Sequence, residues 1–432
     1  MGTLDMMTAF MAVFAFVLQT MMAFAHEGSG HHFVHLKAKD KFERSKIADL
    51  GVSIEAVVSD GVYGLASDEV LEKVKKSGLS LVETFRVNER TSPMDFPEED
   101  ARFHNVEEME KAIDELVTKN FMLMRKFSIG KTFEGRDIWA VQVNSNALAH
   151  GDNPVLISAK PGIFFVGNHH AREHLSAEIP LMFLQYIAEH YGSDAEITNL
   201  VRKRDIYVVP MLNPDGVARD ISTGKYLWHR KNTRPNNEVN PGVDLNRNYG
   251  YKWGQGGSSG VPSSDIYRGE HAFSEPETQA VKKFIEDRPN IKIVLSYHTF
   301  SELILYPWGY TYDKVEKEDD YKAHVAMAEK MAKWTGYTPQ QSSELYITSG
   351  DTTDWVYGAL GIFSFTFELS PKDMSGGAFY PGVKVIDKVF QDNIKPALYL
   401  TELADDPYRA LLPQDDRLSW LDSMALLVRQ RR

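Results

Sequence analysis

The sequence predicts an α/β fold: a mixed, mostly parallel central sheet with helices on both faces, preceded by a small ferredoxin-like α+β domain. Two observations carry this. Over residues 103–403, short apolar strand-like runs alternate with helical patterns, as expected of a sheet covered on both faces. Over residues 32–85 the order reads strand, helix, strand, strand, helix, strand, the split βαβ arrangement.

Taken in chain order, the first feature is Met6 to Ala25, almost wholly apolar and ending Ala23-Phe24-Ala25. Residues 1–25 are therefore expected to be an export signal. The stretch before the apolar run carries Asp5 and no basic residue, so an uncleaved anchor is the alternative. The small domain, residues 26–86, should place strands at 33–37, 53–58, 62–66 and 79–83 and helices at 40–50 and 67–76, with Gly61 turning between the middle strands. Residues 87–102 carry charges, Pro93 and Pro97 and no periodicity, so they read as a linker; Arg86, Arg90 and Arg102 offer cleavage points.

The large unit opens with a helix at 106–118. Strand-like runs follow at 138–143, 163–167, 206–212, 291–298 and 362–369, and the clearest helices fall at 174–191 and 194–204. Ser274-Glu275-Pro276-Glu277 opens another helix with capping-box spacing and a first-turn proline. Residues 404–432 form a tail that is partly amphipathic around 418–428.

Composition excludes some partners. A chain of 432 residues that is 43% hydrophobic and 25% charged is ordinary globular material. Its formal net charge of −12 argues against nucleic acid and against an anionic membrane, because both need clustered Lys and Arg. With no cysteine there is no disulfide framework, and an exported chain of this kind relies on core size alone.

The chemistry concentrates at Gly167-Asn168-His169-His170-Ala171-Arg172-Glu173-His174, directly after the apolar run Ile163-Phe164-Phe165-Val166. Open α/β sheets place their sites at the carboxyl ends of strands. His170 and Glu173, three residues apart, can point the same way and offer two ligands suited to Zn²⁺. A bare His-x-x-Glu also arises by chance, and His169 and His174 compete with it. A catalytic zinc keeps three protein ligands and an open position, so a third donor must come from far away. His298, ending the apolar run 291–297, is the natural one, although a lone strand-end histidine is more often structural.

With these residues the chain resembles a zinc carboxypeptidase of the carboxypeptidase A/T (funnelin) family over about 103–403. His-x-x-Glu, a distant His and a later Glu stand in the family's order. Asn213-Pro214-Asp215-Gly216, Asp244-Leu245-Asn246-Arg247-Asn248 and Phe365-Thr366-Phe367-Glu368-Leu369 match further motifs. The resemblance implies one Zn²⁺ per chain on His170, Glu173 and His298, with Asp244 behind His170. It implies Glu368 as general base and Arg230 as the oxyanion partner, although His229 interrupts the usual Trp-Arg-Lys order around Arg230. Asn246, Arg247 and Tyr346 would hold the substrate's α-carboxylate, Tyr346 on a mobile loop, and Arg172 would support residues further upstream. The bonds Thr299–Phe300 and Pro307–Trp308 would be cis.

Asp351 and Thr353, in Gly350-Asp351-Thr352-Thr353-Asp354-Trp355, are expected to line the side-chain pocket in a pattern resembling carboxypeptidase T. Such a pocket would accept both hydrophobic and basic C-terminal residues. The resemblance further implies a secreted or periplasmic monomer acting on peptides or proteins, free of the membrane once its signal is removed. It implies that the N-terminal domain is a propeptide, a permanent accessory domain being the alternative. A peptidoglycan stem-peptide hydrolase on the same scaffold and a non-catalytic zinc-binding module are the alternative functions.

Overall fold

The computed structural model describes residues 31–86, 95–145, 159–236, 240–413 and 418–424. The expected export signal, linker residues 87–94 and the basic end of the tail lie outside the described residues. The N-terminal domain runs β1 (His31–Lys37), α1 (Lys41–Asp49), β2 (Ser53–Val58), β3 (Gly61–Ser67), α2 (Asp68–Lys76) and β4 (Leu81–Arg86). Its antiparallel sheet has the order β2-β3-β1-β4, the ferredoxin-like arrangement expected, which leaves β2 at an edge. Asp40 and Ser67, each expected as a first helical residue, instead cap α1 and α2 by accepting from the backbone N–H groups of Glu43 and Val70.

The large unit continues with α3 (Val106–Lys119), β5 (Met124–Lys131), β6 (Asp137–Val143), β7 (Gly162–Gly167), α4 (Leu175–His190), α5 (Ala195–Lys203), β8 (Asp205–Val209), α6 (Pro214–Asp220) and α7 (Pro276–Glu286). Then come β9 (Ile291–Thr299), β10 (Leu303–Tyr306), α8 (Glu318–Thr335), β11 (Thr338–Gln341), α9 (Thr352–Leu360), β12 (Phe363–Leu369), α10 (Ile386–Leu403) and the short α11 (Ser419–Ser423). The sheet order is β11-β10-β12-β9-β7-β8-β6-β5, with β8, β7, β9 and β12 forming a parallel centre.

The continuous apolar run in β7 is explained by burial on both sides. Ile163 and Phe165 pack with the helices α4, α8 and α10, whereas Phe164 and Val166 face α7 and α9. Strands β5, β10 and β11 were not expected. β5 and β11 are edge strands carrying Arg125, Lys126 and Pro339, and β10 has four residues, so none shows the long apolar run of a central strand.

Helix α7 starts at Pro276 as expected, but the capping box does not form. Its N-cap is Glu275, while Glu277 accepts from the Phe133 N–H at 3.0 Å and from Asn232 Nδ2 at 3.1 Å. Tertiary partners outbid the local motif there. Both Thr299–Phe300 and Pro307–Trp308 are cis. Among the described residues, no helix is long and apolar enough to cross a membrane.

Candidate metal centre and active site

The parallel centre of the sheet delivers the site. His170 and Glu173 sit in the turn between β7 and α4, and His298 sits near the end of neighbouring β9. All three are buried. Their donor atoms lie within 4.8 Å of one another, the cluster among the described residues that could hold a metal ion. His170 Nδ1 stands 2.7 Å from Glu173 Oε1, and His298 Nδ1 stands 3.0 Å from Glu173 Oε2 and 3.1 Å from His170 Nδ1.

This donor set fits a cation. Each imidazole uses its Nε2 elsewhere: His170 with Asp244 Oδ1 at 3.1 Å, His298 with Ser296 Oγ at 3.0 Å. With the protons held on Nε2, both Nδ1 atoms are lone-pair donors facing each other and a carboxylate. Two nitrogens and one oxygen around a common point is the ligand set of a catalytic Zn²⁺ site. His169 and His174 take no part. His169 is bonded to Tyr249 and Ser296, and burial holds its pKa well below the ordinary value; His174 is paired with Asp220 at 2.8 Å.

The electrostatics concentrate charge at this point. Burial pushes the Glu173 carboxyl up, but His170 and His298 outweigh it and hold it low. Asp244 is likewise penalised by burial and held well below the usual range by Arg230 and His170. Arg230 Nε bonds Asp244 Oδ2 at 3.0 Å, and its Nη1 lies 3.8 Å from Glu173 Oε1. Glu368, on β12, is the register partner of His298 across the parallel β9–β12 pair. Burial, reinforced by the nearby Glu173, pushes Glu368 well above the ordinary carboxyl range.

Glu368 and His170 share one cleft with Arg230, Asn246, Arg247, Tyr346 and Asp351. The Asn246 amide oxygen accepts from both Thr352 N and Thr352 Oγ1 at 2.9 Å, so its NH₂ is the group it can offer a ligand. Arg247 is fixed by Nε to the Gly257 carbonyl and by Nη1 to the Asn246 carbonyl, uses that leave Nη2 over. Arg172 is fully buried; its Nη1 bonds the Trp228 carbonyl at 3.1 Å and Asp265 at 3.2 Å.

Two expectations about the pocket need refining. Asp351 borders the cleft but also caps α9, accepting from Asp354 N at 2.8 Å and from Thr348 Oγ1 at 3.0 Å. Thr353 bonds Thr366 Oγ1 at 2.7 Å, and Thr366 is the residue on the cleft wall. On a helix, Thr353 lies two positions beyond the cap and turns from the opening, which linear proximity to Asp351 does not reveal. The loop around Tyr346 is tied to α1 of the N-terminal domain, and Tyr346 packs against that domain's core.

Sequence reasoning missed Glu55, Phe300, Thr366 and Phe379, all on the cleft wall. Glu55 had a signal: it is the one charge in the strand Ser53-Ile54-Glu55-Ala56-Val57-Val58. The motif residues Asp215 and Asn248 prove to be braces. Asp215 bonds Thr132 and Arg136, and Asn248 ties the Arg268 and His271 carbonyls.

Two histidines and a glutamate meeting at the carboxyl edge of a parallel sheet define a single-metal hydrolase of the α/β class. Comparison with known proteins is consistent with this. The family profile described as zinc carboxypeptidase matches residues 109–395. A zinc carboxypeptidase of Saccharothrix mutabilis subsp. capreolus is 39% identical over 307 residues, 69% of each chain. Human carboxypeptidase A1 is 33% identical over 273 residues, 62% of each chain. The carboxypeptidase A of Helicoverpa armigera shares the fold, with a TM-score of 0.68 at 20% identity over 90% of this chain and 100% of that one. The thrombin-activatable fibrinolysis inhibitor does so at 0.67 and 22%, over 88% and 100%. The chain belongs to the zinc carboxypeptidase family and is a metallocarboxypeptidase, and among the described residues its one zinc site lies at His170, Glu173 and His298.

Proposed function

We propose that this enzyme is a secreted or periplasmic exopeptidase that hydrolyses the C-terminal peptide bond of peptides or proteins, using Glu368 as base and Arg230 as oxyanion partner. The observation that carries the reading is the register pairing of Glu368 with the ligand His298, which sets a carboxylate beside the metal centre in one cleft with Arg230. His170, Glu173 and His298 would hold a Zn²⁺ whose Lewis acidity, when bound, would polarise the scissile carbonyl and lower the pKa of water towards neutrality.

The chain's own groups do the rest. Glu368 accepts the proton of the attacking water and passes it to the leaving amine. Arg230, aligned by Asp244, donates to the oxyanion as charge develops there. The Asn246 NH₂ and the Arg247 guanidinium, with the Tyr346 hydroxyl, hold the free α-carboxylate, which restricts cleavage to the last bond. Arg172 supports residues upstream. At the side-chain pocket, Asp351 attracts a basic group while neutral Thr366, backed by Thr353, leaves room for an apolar one, a pattern resembling carboxypeptidase T.

The N-terminal domain acts as a propeptide, and the main support is that its residues Ile54 to Val57 line the same cleft as Glu368. The test is hydrolysis of peptides ending in Phe, Leu, Lys and Glu by protein freed of that domain, with and without chelator. Chelator-sensitive release of Phe, Leu and Lys is expected. Release of Glu alone, or internal cleavage, would overturn the reading.

A further inference from the structure

Two neighbouring histidines follow β7, and the turn sends them to different partners. Asn168 takes a left-handed conformation (φ 58°), which asparagine tolerates, and its Nδ2 donates to the His170 carbonyl at 3.0 Å. His170 then meets Glu173 and Asp244, whereas His169 meets a separate set of groups. The His169 ring stacks against that of His298 with 5.3 Å between centroids, and its Nδ1 lies 3.2 Å from Ser296 Oγ. Its Nε2 lies 2.9 Å from both Thr352 Oγ1 and Tyr249 OH. His169, Ser296, Tyr249 and Thr352 are all buried.

The hydrogens along this path can be assigned in turn. For His298 to offer Nδ1 to a cation, its proton sits on Nε2 and is donated to Ser296 Oγ, 3.0 Å away. The Ser296 hydroxyl has a single hydrogen, so it donates to His169 Nδ1, which is the bare nitrogen of that ring. A fully buried imidazole with no carboxylate among its hydrogen-bond partners stays neutral, so the His169 proton is on Nε2, shared between Thr352 Oγ1 and Tyr249 OH. Thr352 Oγ1 in turn donates to Asn246 Oδ1 at 2.9 Å, beside the Thr352 N–H at the same distance. One polarity therefore runs from the His298 ring to the Asn246 amide. Reversing any bond on the path would set two hydrogens or two lone pairs against each other.

We propose that His169 is a positioning residue for both ends of the site: through Ser296 it holds His298 with Nδ1 turned to the metal position, and through Thr352 it holds Asn246 with its NH₂ turned to the cleft. It acts only through these neighbours. The His298 end stands on the metal centre, and the Asn246 end rests on the exopeptidase reading.

The experiment measures zinc affinity of the full chain by chelator competition. It also measures kcat and KM on a Leu-ended peptide at saturating zinc, before and after proteolytic removal of the N-terminal domain. His169→Phe keeps a ring and removes both bonds. It should weaken zinc binding about tenfold, the scale set by the outer partners of ligating histidines, and raise KM by a similar factor. His169→Gln, which carries an acceptor and a donor, should recover most of both losses. Ser296→Ala should weaken zinc binding at least as much, and adding His169→Phe to it should cost nothing further, because His169 reaches His298 through that hydroxyl. Thr352→Val should raise KM and leave zinc affinity unchanged. Nitrogen-15 spectra of the zinc-loaded chain should place the His169 proton on Nε2.

A His169→Phe protein with the parent's zinc affinity, additive zinc losses in the double variant, or a His169 proton on Nδ1 would overturn the proposal. Unchanged KM in both His169→Phe and Thr352→Val would overturn the Asn246 end. If no form of the protein cleaves peptide, non-additive zinc losses still support the His298 end, and the failure falls on the exopeptidase reading.

Discussion

Glu368 and His298 stand side by side as register partners on β12 and β9, one step from the carboxyl ends of both strands. Parallel pairing turns both side chains to the same face, so a carboxylate and a metal ligand from positions 70 residues apart reach one point. The proposed chemistry depends on that adjacency.

Replacing Glu368 by Gln should leave zinc bound and reduce kcat/KM by roughly 10²–10⁴-fold, because the proton acceptor is lost and all three ligands remain. Metal content by elemental analysis and hydrolysis of a C-terminal Leu peptide check this. Turnover within a few-fold of the parent would move the base elsewhere.

Removing the metal should cost stability as well as activity. Without a cation, the Nδ1 atoms of His170 and His298 face each other at 3.1 Å beside Glu173. Stabilisation by a bound ion grows as RT ln(1 + [L]/Kd), about 2.7 kcal/mol at a hundredfold excess over Kd. A chelator should lower Tm, and added Zn²⁺ should restore it in a concentration-dependent way; a Tm indifferent to both would dissolve the metal-centre assignment.

Asp351→Asn tests specificity cleanly because Asn is as good an N-cap as Asp, so α9 should keep its start. What is lost is charge. Cleavage of Lys-ended peptides should fall roughly tenfold, about 1.4 kcal/mol, with Leu-ended peptides little affected. Equal losses on both would make Asp351 a helix cap only.

Glu277 predicts a pH effect outside the active site. Burial pushes its carboxyl from the ordinary carboxyl range up to about 7. A carboxyl with a raised folded pKa contributes most below its unfolded pKa, and that contribution is lost as pH rises through 7, at most about 3 kcal/mol. Glu277→Gln, neutral throughout, should flatten this fall between pH 5 and 8 in thermal melts of the two proteins. Parallel melting curves would place the proton on another group.

How much of this was legible in sequence varies by element. Central strands announced themselves because burial on both faces demands unbroken apolar runs such as Ile163 to Val166, and their carboxyl ends pointed to the ligands. His170, Glu173 and His298 were legible because they lie at or just beyond the carboxyl ends of strands that must be buried, and the resemblance to the family's motifs added Glu368. The edge strands β5 and β11 stayed hidden because an edge needs no such run. Local rules also failed where distant groups compete: Glu277 abandons its capping box for Phe133 and Asn232.

The sequence by itself determined the α/β architecture, the ferredoxin-like domain and the identity of the metal ligands, because periodicity and strand-end position are local properties of the chain. Only the tertiary structure decided that Thr366 stands in front of Thr353, that α1 grips the Tyr346 loop, and that Glu55 reaches Arg172. Those depend on the angle at which one element meets another, and for Glu55 on a single bulged residue that breaks the strand's alternation. A pattern of residue types records which faces are buried, not what a re-aimed side chain will meet.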